Sequence, residues 1–306
     1  MENFEKELNV RVREIEEIIK AFLPKEEGYA KTVLEAMNYS ILAGGKRLRP
    51  MLMQETYQLF GGRGKEIEPF MAAIEMIHTY SLVHDDLPAM DDDEYRRGRK
   101  TTHVVYGEAF GILAGDALLN YAFETAMKAF PLQAEDISEL NSGKLLSIAR
   151  ALEILAKKAG IFGMIGGQTA DIEAEGSEQI TTEQLLFIHE NKTAALIQAA
   201  MMVGAVLAGA SAGEVERIEK CAYNIGIAFQ IQDDILDITG TQEELGKPIG
   251  SDAKNGKQTY VTLNGLETSM EHVKALSEEA VQIIDSVGGD STFLKELIVS
   301  LIHRSK

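Results

Sequence analysis

Cysteine is nearly missing from this chain of 306 residues: Cys221 stands alone, so no intrachain disulfide can form. A reducing, cytoplasmic setting is the natural expectation for such a sequence. Cations are also in short supply. Thirty Lys and Arg face 48 Asp and Glu, giving a net charge of −18, which argues against nucleic acid as a partner, since binders of nucleic acid carry a basic face. The opening segment MENFEKELNVRVREIEEIIK is charged and amphipathic and has no apolar signal core. A single stretch, Ala194 to Gly213, lacks charge over a length that can cross a bilayer. It is rich in Ala and Gly and contains Gln198, so it is expected to be a buried core or interface helix and not a membrane span.

Proline is scarce too, with six residues, and strand-like alternation is nearly absent. What the chain does have is apolar residues at helical spacing. The spacing predicts helices over Val10 to Phe22, Thr32 to Leu42, Met51 to Phe60, Pro69 to His84, Gly107 to Phe130, Leu140 to Gly160, Thr182 to Leu207 and Gly213 to Ile238. The fold class expected is all-α, and no linker marks a second domain, so residues 1–306 are expected to form a single one. The longest break, 240–256, contains four glycines and follows an acidic cluster; its expected role is that of a lid.

That cluster is one of two, set about 150 residues apart: His84-Asp85-Asp86-Leu87-Pro88-Ala89-Met90-Asp91-Asp92-Asp93 and Gln230-Ile231-Gln232-Asp233-Asp234-Ile235-Leu236-Asp237. Carboxylates so close repel one another, and burying them is costly without a neutralising cation. Clusters facing one cavity would hold several Mg²⁺ ions, which in turn hold phosphates. On a helix, Asp237 shares a face with Asp233 and Asp234. Asp91, six residues after Asp85, lies on the wrong side of a regular helix, but Pro88 must end the helix and can turn the chain back. Exposed acidic faces or turns are the bland alternatives. Two basic runs weigh against them: Gly44-Gly45-Lys46-Arg47-Leu48-Arg49-Pro50 and Arg96-Arg97-Gly98-Arg99-Lys100. Arg forks and Lys point charges suit phosphate oxygens, although pairing with nearby carboxylates is again the plainer reading of each run alone. His78 sits two helical turns before Asp85. Lys192-Thr193 opens the uncharged helix, Lys247 lies in the Gly-rich break and Lys257 at its end, and Gln168 and Asp171 share a helical face within Gly166 to Asp171.

Taken in order, GGKRLRP, DDLPAMD with its following RRG, GGQTAD, KT, FQIQDDILD and the GK and GKQTY segments resemble the trans-prenyl diphosphate synthases over essentially the whole chain. The DDxxxxD spacing with its proline looks like the bacterial farnesyl diphosphate synthases (geranyltranstransferases) and the bacterial and plant geranylgeranyl diphosphate synthases. The resemblance implies an all-α homodimer with a central cavity in each subunit and Mg²⁺, three ions per site, as cofactor. It implies Asp85, Asp86, Asp91, Asp233, Asp234 and Asp237 as metal-binding residues. It places isopentenyl diphosphate at Lys46, Arg49, His78 and Arg97, and the allylic diphosphate at Arg96, Lys192, Thr193, Gln230, Lys247 and Lys257. It implies Asp85, Asp86, Asp91, Arg96, Lys192 and Asp233 as the catalytic set. In that family the residues one turn before the first Asp pair, here Tyr80 and Ser81, line the tunnel floor. At about 1.5 Å per helical residue Tyr80 lies roughly 7 Å from Asp85, and its ring is expected to stop the chain at C15, with C20 as the alternative. A metal phosphohydrolase of the His-Asp type leaves the second Asp cluster unexplained, a terpene cyclase needs no GGKRLRP run, and a non-catalytic subunit is expected to have lost Asp residues.

Overall fold

The computed structural model describes residues 2–131, 141–175, 177, 179–239 and 258–302. They are overwhelmingly helical, as the apolar spacing leads one to expect, and they divide into two compact units: Met1–Gln54 with Arg63–Leu152, and Glu55–Gly62 with Glu153–Lys306.

The first unit holds α1 (Glu2–Ala21), α2 (Lys31–Ile41), the start of α3 (Leu48–Leu59), α4 (Glu68–Asp85), α5 (Thr102–Tyr106), α6 (Glu108–Met127) and the start of α7 (Ser142–Ala159). Helix α1 begins earlier than the apolar pattern indicates. Its first turns are rich in Glu and Lys, good helix formers, and are steadied by i,i+4 pairs such as Arg11–Glu7 at 2.6 Å, which an apolar count does not register. Helix α4 is the centre of the unit. Pro69 stands in its first turn, where a missing N–H costs nothing, and every residue from Pro69 to Ile77 is buried. It packs on α6, α2 and α1. Gly115 of α6 makes room for the His84 imidazole, which a Cβ would strike, and His84 Nε2 lies 3.0 Å from the Ile112 carbonyl oxygen.

A small antiparallel hairpin, β1 (Tyr95–Arg96) and β2 (Arg99–Lys100), is formed by the basic run around Gly98, where the spacing marks no element. Strands of this length have no alternation for a sequence reading to detect. Arg97 and Gly98 form the turn with φ of 54° and 74°, the pattern of a two-residue type I′ hairpin loop.

The second unit holds α8 (Met164–Glu175), α9 (Thr182–Ile188), α10 (Ala195–Leu207), α11 (Ala212–Thr239), α12 (Tyr260–Asn264), α13 (Leu266–Val287) and α14 (Thr292–Ile302). Helix α11 packs against α10 and α13. All thirteen residues of α10 are buried, in agreement with the core role expected of the uncharged stretch. Among the described residues no helix is long and apolar enough to cross a membrane. The expected continuous helix 182–207 is interrupted: His189–Ala194 form a π-helical segment. Gly167 of α8 and Gly226 of α11 both approach this segment so closely that a Cβ on either would overlap it. The buried thiol of Cys221 is pushed up to about 12 by burial and donates to the Ala280 carbonyl at 3.5 Å, so it is a packing residue.

Candidate active site

The first acidic cluster lies where α4 must stop. Asp85 is the last helical residue and Asp86 its C-cap. The Pro88 turn then folds the chain back, so that the Asp91 amide donates to the Asp85 carbonyl at 2.9 Å and the Asp92 amide to that of Leu87 at 3.1 Å. The spacing of six, wrong for a helix, thus becomes adjacency. Asp86 is 4% exposed. Burial raises its carboxyl above the usual range while the Arg96 guanidinium opposes the shift; Arg96 Nε donates to Asp86 Oδ1 at 2.6 Å. A second nitrogen of Arg96 lies 3.6 Å from Asp93.

The GGKRLRP run divides by function. Arg47, held at φ 47°, is buried and engaged: Nη1 donates to Glu75 at 2.7 Å and Nη2 to the Ile41 carbonyl at 2.8 Å. It is therefore a structural cation, and for this residue the pairing explanation holds. The Nε atoms of Arg47 and Arg49 are both buried with no hydrogen-bond partner, that of Arg47 lying 3.6 Å from Glu16. Burial brings the Arg49 pKa down to about 10, which leaves it charged at neutral pH. Such a group is costly unless an anion arrives. Arg97, at the hairpin tip, donates to the Gly44 carbonyl, and Gly45, at φ 144°, has no space for a Cβ beside that guanidinium. Burial, then the charges of Arg49 and Arg97, hold the His78 imidazole well below its usual pKa. Arg49, His78 and Arg97 are thus brought together, with Lys46 exposed on the same loop.

Tyr80 is 6% exposed. Its ring meets the His84 imidazole edge-to-face, with centroids 5.8 Å apart, and burial, helped by Asp85, lifts its hydroxyl to about 12. The Ser81 hydroxyl turns inward on the helix and donates to the His78 carbonyl at 2.9 Å.

In the second unit, Asp233, Asp234 and Asp237 lie on α11; Asp233 is exposed, Asp234 half-buried and Asp237 buried. Asp234 Oδ2 accepts the Tyr260 amide at 2.7 Å, at the first residue of α12. Thr259 opens that helix with a capping box closed by Thr262. Lys192 and Thr193 belong to the π-helical segment, a distortion frequent at functional sites. Lys192 Nζ donates to Asp171 Oδ2 at 2.6 Å, which ties α8 to the π-helical segment. Gln230 is half-buried on α11. Lys247 and Lys257, with the Gly-rich stretch before them, lie outside the described residues.

Among the described residues no group of three or more His, Cys, Asp or Glu side chains forms a ready cage. The available donors are carboxylate oxygens, hard ligands that suit a small divalent cation. Mg²⁺ is usually held by one or two carboxylates plus phosphate oxygens and not by an all-protein cage, so the residues fit that ion. Sequence reasoning missed Glu75, the Tyr260 amide and His189. The last is a buried imidazole held to about 4, mainly by burial, with an unpartnered Nδ1. None carries a motif signal of its own; pairing reveals Glu75 and the Tyr260 amide, and burial reveals His189.

Residues 30–289 match the Polyprenyl synthetase family. The chain is 41% identical to a farnesyl diphosphate synthase of Geobacillus stearothermophilus over 97% of both chains. It is 44% identical to a geranylgeranyl diphosphate synthase of Cyanophora paradoxa, over 88% of this chain and 86% of that one. A geranyltransferase from Helicobacter pylori, solved in complex with magnesium and isoprenyl diphosphate, superposes with a TM-score of 0.77 at 32% identity, covering 97% of this chain and 95% of that one. The chain belongs to the polyprenyl synthetase family and is a prenyltransferase with the all-α isoprenoid synthase fold.

Proposed function

We propose that this enzyme joins isopentenyl diphosphate head-to-tail to dimethylallyl and then geranyl diphosphate, giving (E,E)-farnesyl diphosphate. The observation that carries the reaction is the convergence of a partnerless buried Arg49 nitrogen, a neutral His78 and the Arg97 turn. This is a pocket whose unsatisfied positive charge calls for a diphosphate. When bound, Mg²⁺ would supply positive charge to a diphosphate leaving group. Asp85, Asp86, Asp91, Asp233, Asp234 and Asp237 are the residues that would hold it, with three ions per site. The Helicobacter pylori geranyltransferase, solved in complex with magnesium, supports the identity of the ion.

Each remaining residue has a task. Arg96, Lys192, Thr193, Gln230, Lys247 and Lys257 orient the allylic diphosphate. Lys46, Arg49, His78 and Arg97 hold isopentenyl diphosphate so that its double bond meets the allylic cation at short range. The neutral His78 contributes a hydrogen bond without adding to the cationic crowd. Apolar walls exclude water from the cation, and the proton lost on closing the new double bond leaves with the released pyrophosphate as base. Tyr80, buried one helical turn before the Asp pair, favours C15 as product. The family match crosses both compact units, which supports one catalytic domain over 1–306. Exposed Phe110, Ile112 and Leu113 on α6 support a homodimer that covers them, and the single buried cysteine supports a cytoplasmic setting.

The test is one incubation of the purified chain with Mg²⁺, labelled isopentenyl diphosphate and dimethylallyl diphosphate, followed by sizing of the dephosphorylated products. A C15 alcohol from the native chain and a loss of at least a hundredfold in Asp85→Ala are expected. A C20 alcohol keeps the chemistry and overturns the product. No product from dimethylallyl or geranyl diphosphate overturns the reaction.

A further inference from the structure

The hairpin that presents Arg96 and Arg97 is poorly equipped to hold itself. Its strands are two residues each, and a hairpin so short has no independent stability. Arg97 occupies a left-handed position normally given to Asn, Asp or Gly, where a larger side chain is strained. Arg96 stands directly opposite Arg99 across the ladder, and like charges so placed repel. Something outside the hairpin must fasten it.

The fastening is on α2. The Tyr39 hydroxyl donates to the Lys100 carbonyl at 2.7 Å. The Arg99 guanidinium lies over the Tyr39 ring, 4.3 Å from its centroid, and donates to the Leu42 carbonyl at 3.2 Å. Tyr106 braces the same ring edge-to-face at 5.6 Å, and the Ser40 and Thr102 hydroxyls are 2.7 Å apart. The Arg96–Arg99 conflict is thereby resolved, since Arg96 turns to Asp86 and Arg99 to the Tyr39 ring.

We propose that Tyr39 and Arg99 form a clamp that positions the Arg97 turn, and through it selects affinity for isopentenyl diphosphate; this rests on the substrate assignment above. In this reading neither residue contacts substrate: the Arg99 guanidinium is turned to the Tyr39 ring and the Leu42 carbonyl, and the Tyr39 hydroxyl to the Lys100 carbonyl. The effect is specific to one substrate. Arg96 has its own anchor in Asp86, so the allylic side is held without the clamp, whereas Arg97 depends on where the tip of the hairpin lies against Gly44 and Gly45.

The experiment compares Arg99→Ala, Tyr39→Leu and Arg99→Lys with the native full-length chain, by steady-state kinetics and by calorimetric titration with inorganic pyrophosphate. Arg99→Ala and Tyr39→Leu are each expected to raise KM for isopentenyl diphosphate about tenfold, with KM for dimethylallyl diphosphate and kcat each within about threefold. Arg99→Lys keeps a cation over the ring and restores near-native values. Pyrophosphate affinity falls in the same two variants. Should Arg99→Ala weaken binding while Tyr39→Leu does not, Arg99 acts as a direct charge and the clamp is wrong. Equal pyrophosphate affinity in all four proteins also overturns it. An inactive native chain whose pyrophosphate binding still follows the clamp would instead overturn the reaction assigned above.

Discussion

Tyr80 carries the product assignment, and its replacement is the most direct trial of it. The phenol reaches about 6 Å beyond Cβ, and one isoprene unit, four backbone bonds of about 1.5 Å in zigzag, advances a chain by roughly 5 Å. Tyr80→Ala therefore opens depth for one more unit, and the expected product moves from C15 to C20. Stability sets the limit of the experiment. Removing a sealed aromatic costs about 3–5 kcal/mol, and Tyr80 is 6% exposed with an edge-to-face contact to His84. His84 retains its Ile112 partner, so the end of α4 stays anchored. Tyr80→Leu shortens the side chain while filling much of the volume, and Tyr80→Phe keeps the ring. The series Phe, Leu, Ala should give C15, a mixture, and mainly C20, read by sizing the dephosphorylated alcohols. Thermal melts confirm that each variant is folded. A folded Tyr80→Ala enzyme that still makes C15 alone refutes the role of Tyr80 as floor.

Two further outcomes follow from buried charges. Glu75→Ala leaves the Arg47 guanidinium with the Ile41 carbonyl and with Glu16 at 3.6 Å; breaking a buried pair costs about 3–5 kcal/mol, so the urea midpoint should fall by about 1 M, and an unchanged midpoint would show the pair to be dispensable. His189 is held to about 4 in the fold, against 6.5 for the free side chain. Between those values the unfolded chain binds the extra proton and the folded chain does not. Its contribution is therefore complete above pH 6.5 and is lost as pH falls towards 4, a total of about 3 kcal/mol. In His189→Gln that part of the acid dependence should vanish in denaturant titrations at pH 7 and pH 4.5; an identical slope in both proteins would place the group elsewhere in the balance.

Most helices were legible in the sequence because each buries one face or all of itself, as the wholly buried α10 and the apolar run of α4 do. The fold-back at Asp91 was legible as well, since Pro88 leaves the chain little choice. Other features were not. The hairpin has strands too short for a period, the π-helical segment at Lys192 differs from an α-helix by hydrogen-bond register and not by composition, and α12 to α14 lie beyond the last long apolar stretch that spacing marked. In the site, residue types were readable but their engagements were not. Nothing in GGKRLRP distinguishes Arg47 from Arg49; the difference is made by Glu75, 28 residues further along the chain.

That difference explains how a chain of net charge −18 can hold a cationic pocket. Arg47, Arg96 and Arg97 each rest on a partner supplied by the protein: Glu75, Asp86 and the Gly44 carbonyl. Arg49 has a buried nitrogen with nothing to donate to, as does Arg47 with its Nε 3.6 Å from Glu16, and the Arg49 pKa of about 10 keeps it charged. The first three fix the loop and the hairpin in place. The fourth bears a desolvation cost in the free enzyme that a diphosphate oxygen, on the reading proposed above, would relieve on binding. The acidic surplus elsewhere does not cancel this pocket, because fields across water fade within about 10 Å at ordinary ionic strength. On the proposed reading, affinity for the anion would be set by this local group of guanidinia, and the global sign of the chain has little bearing on it.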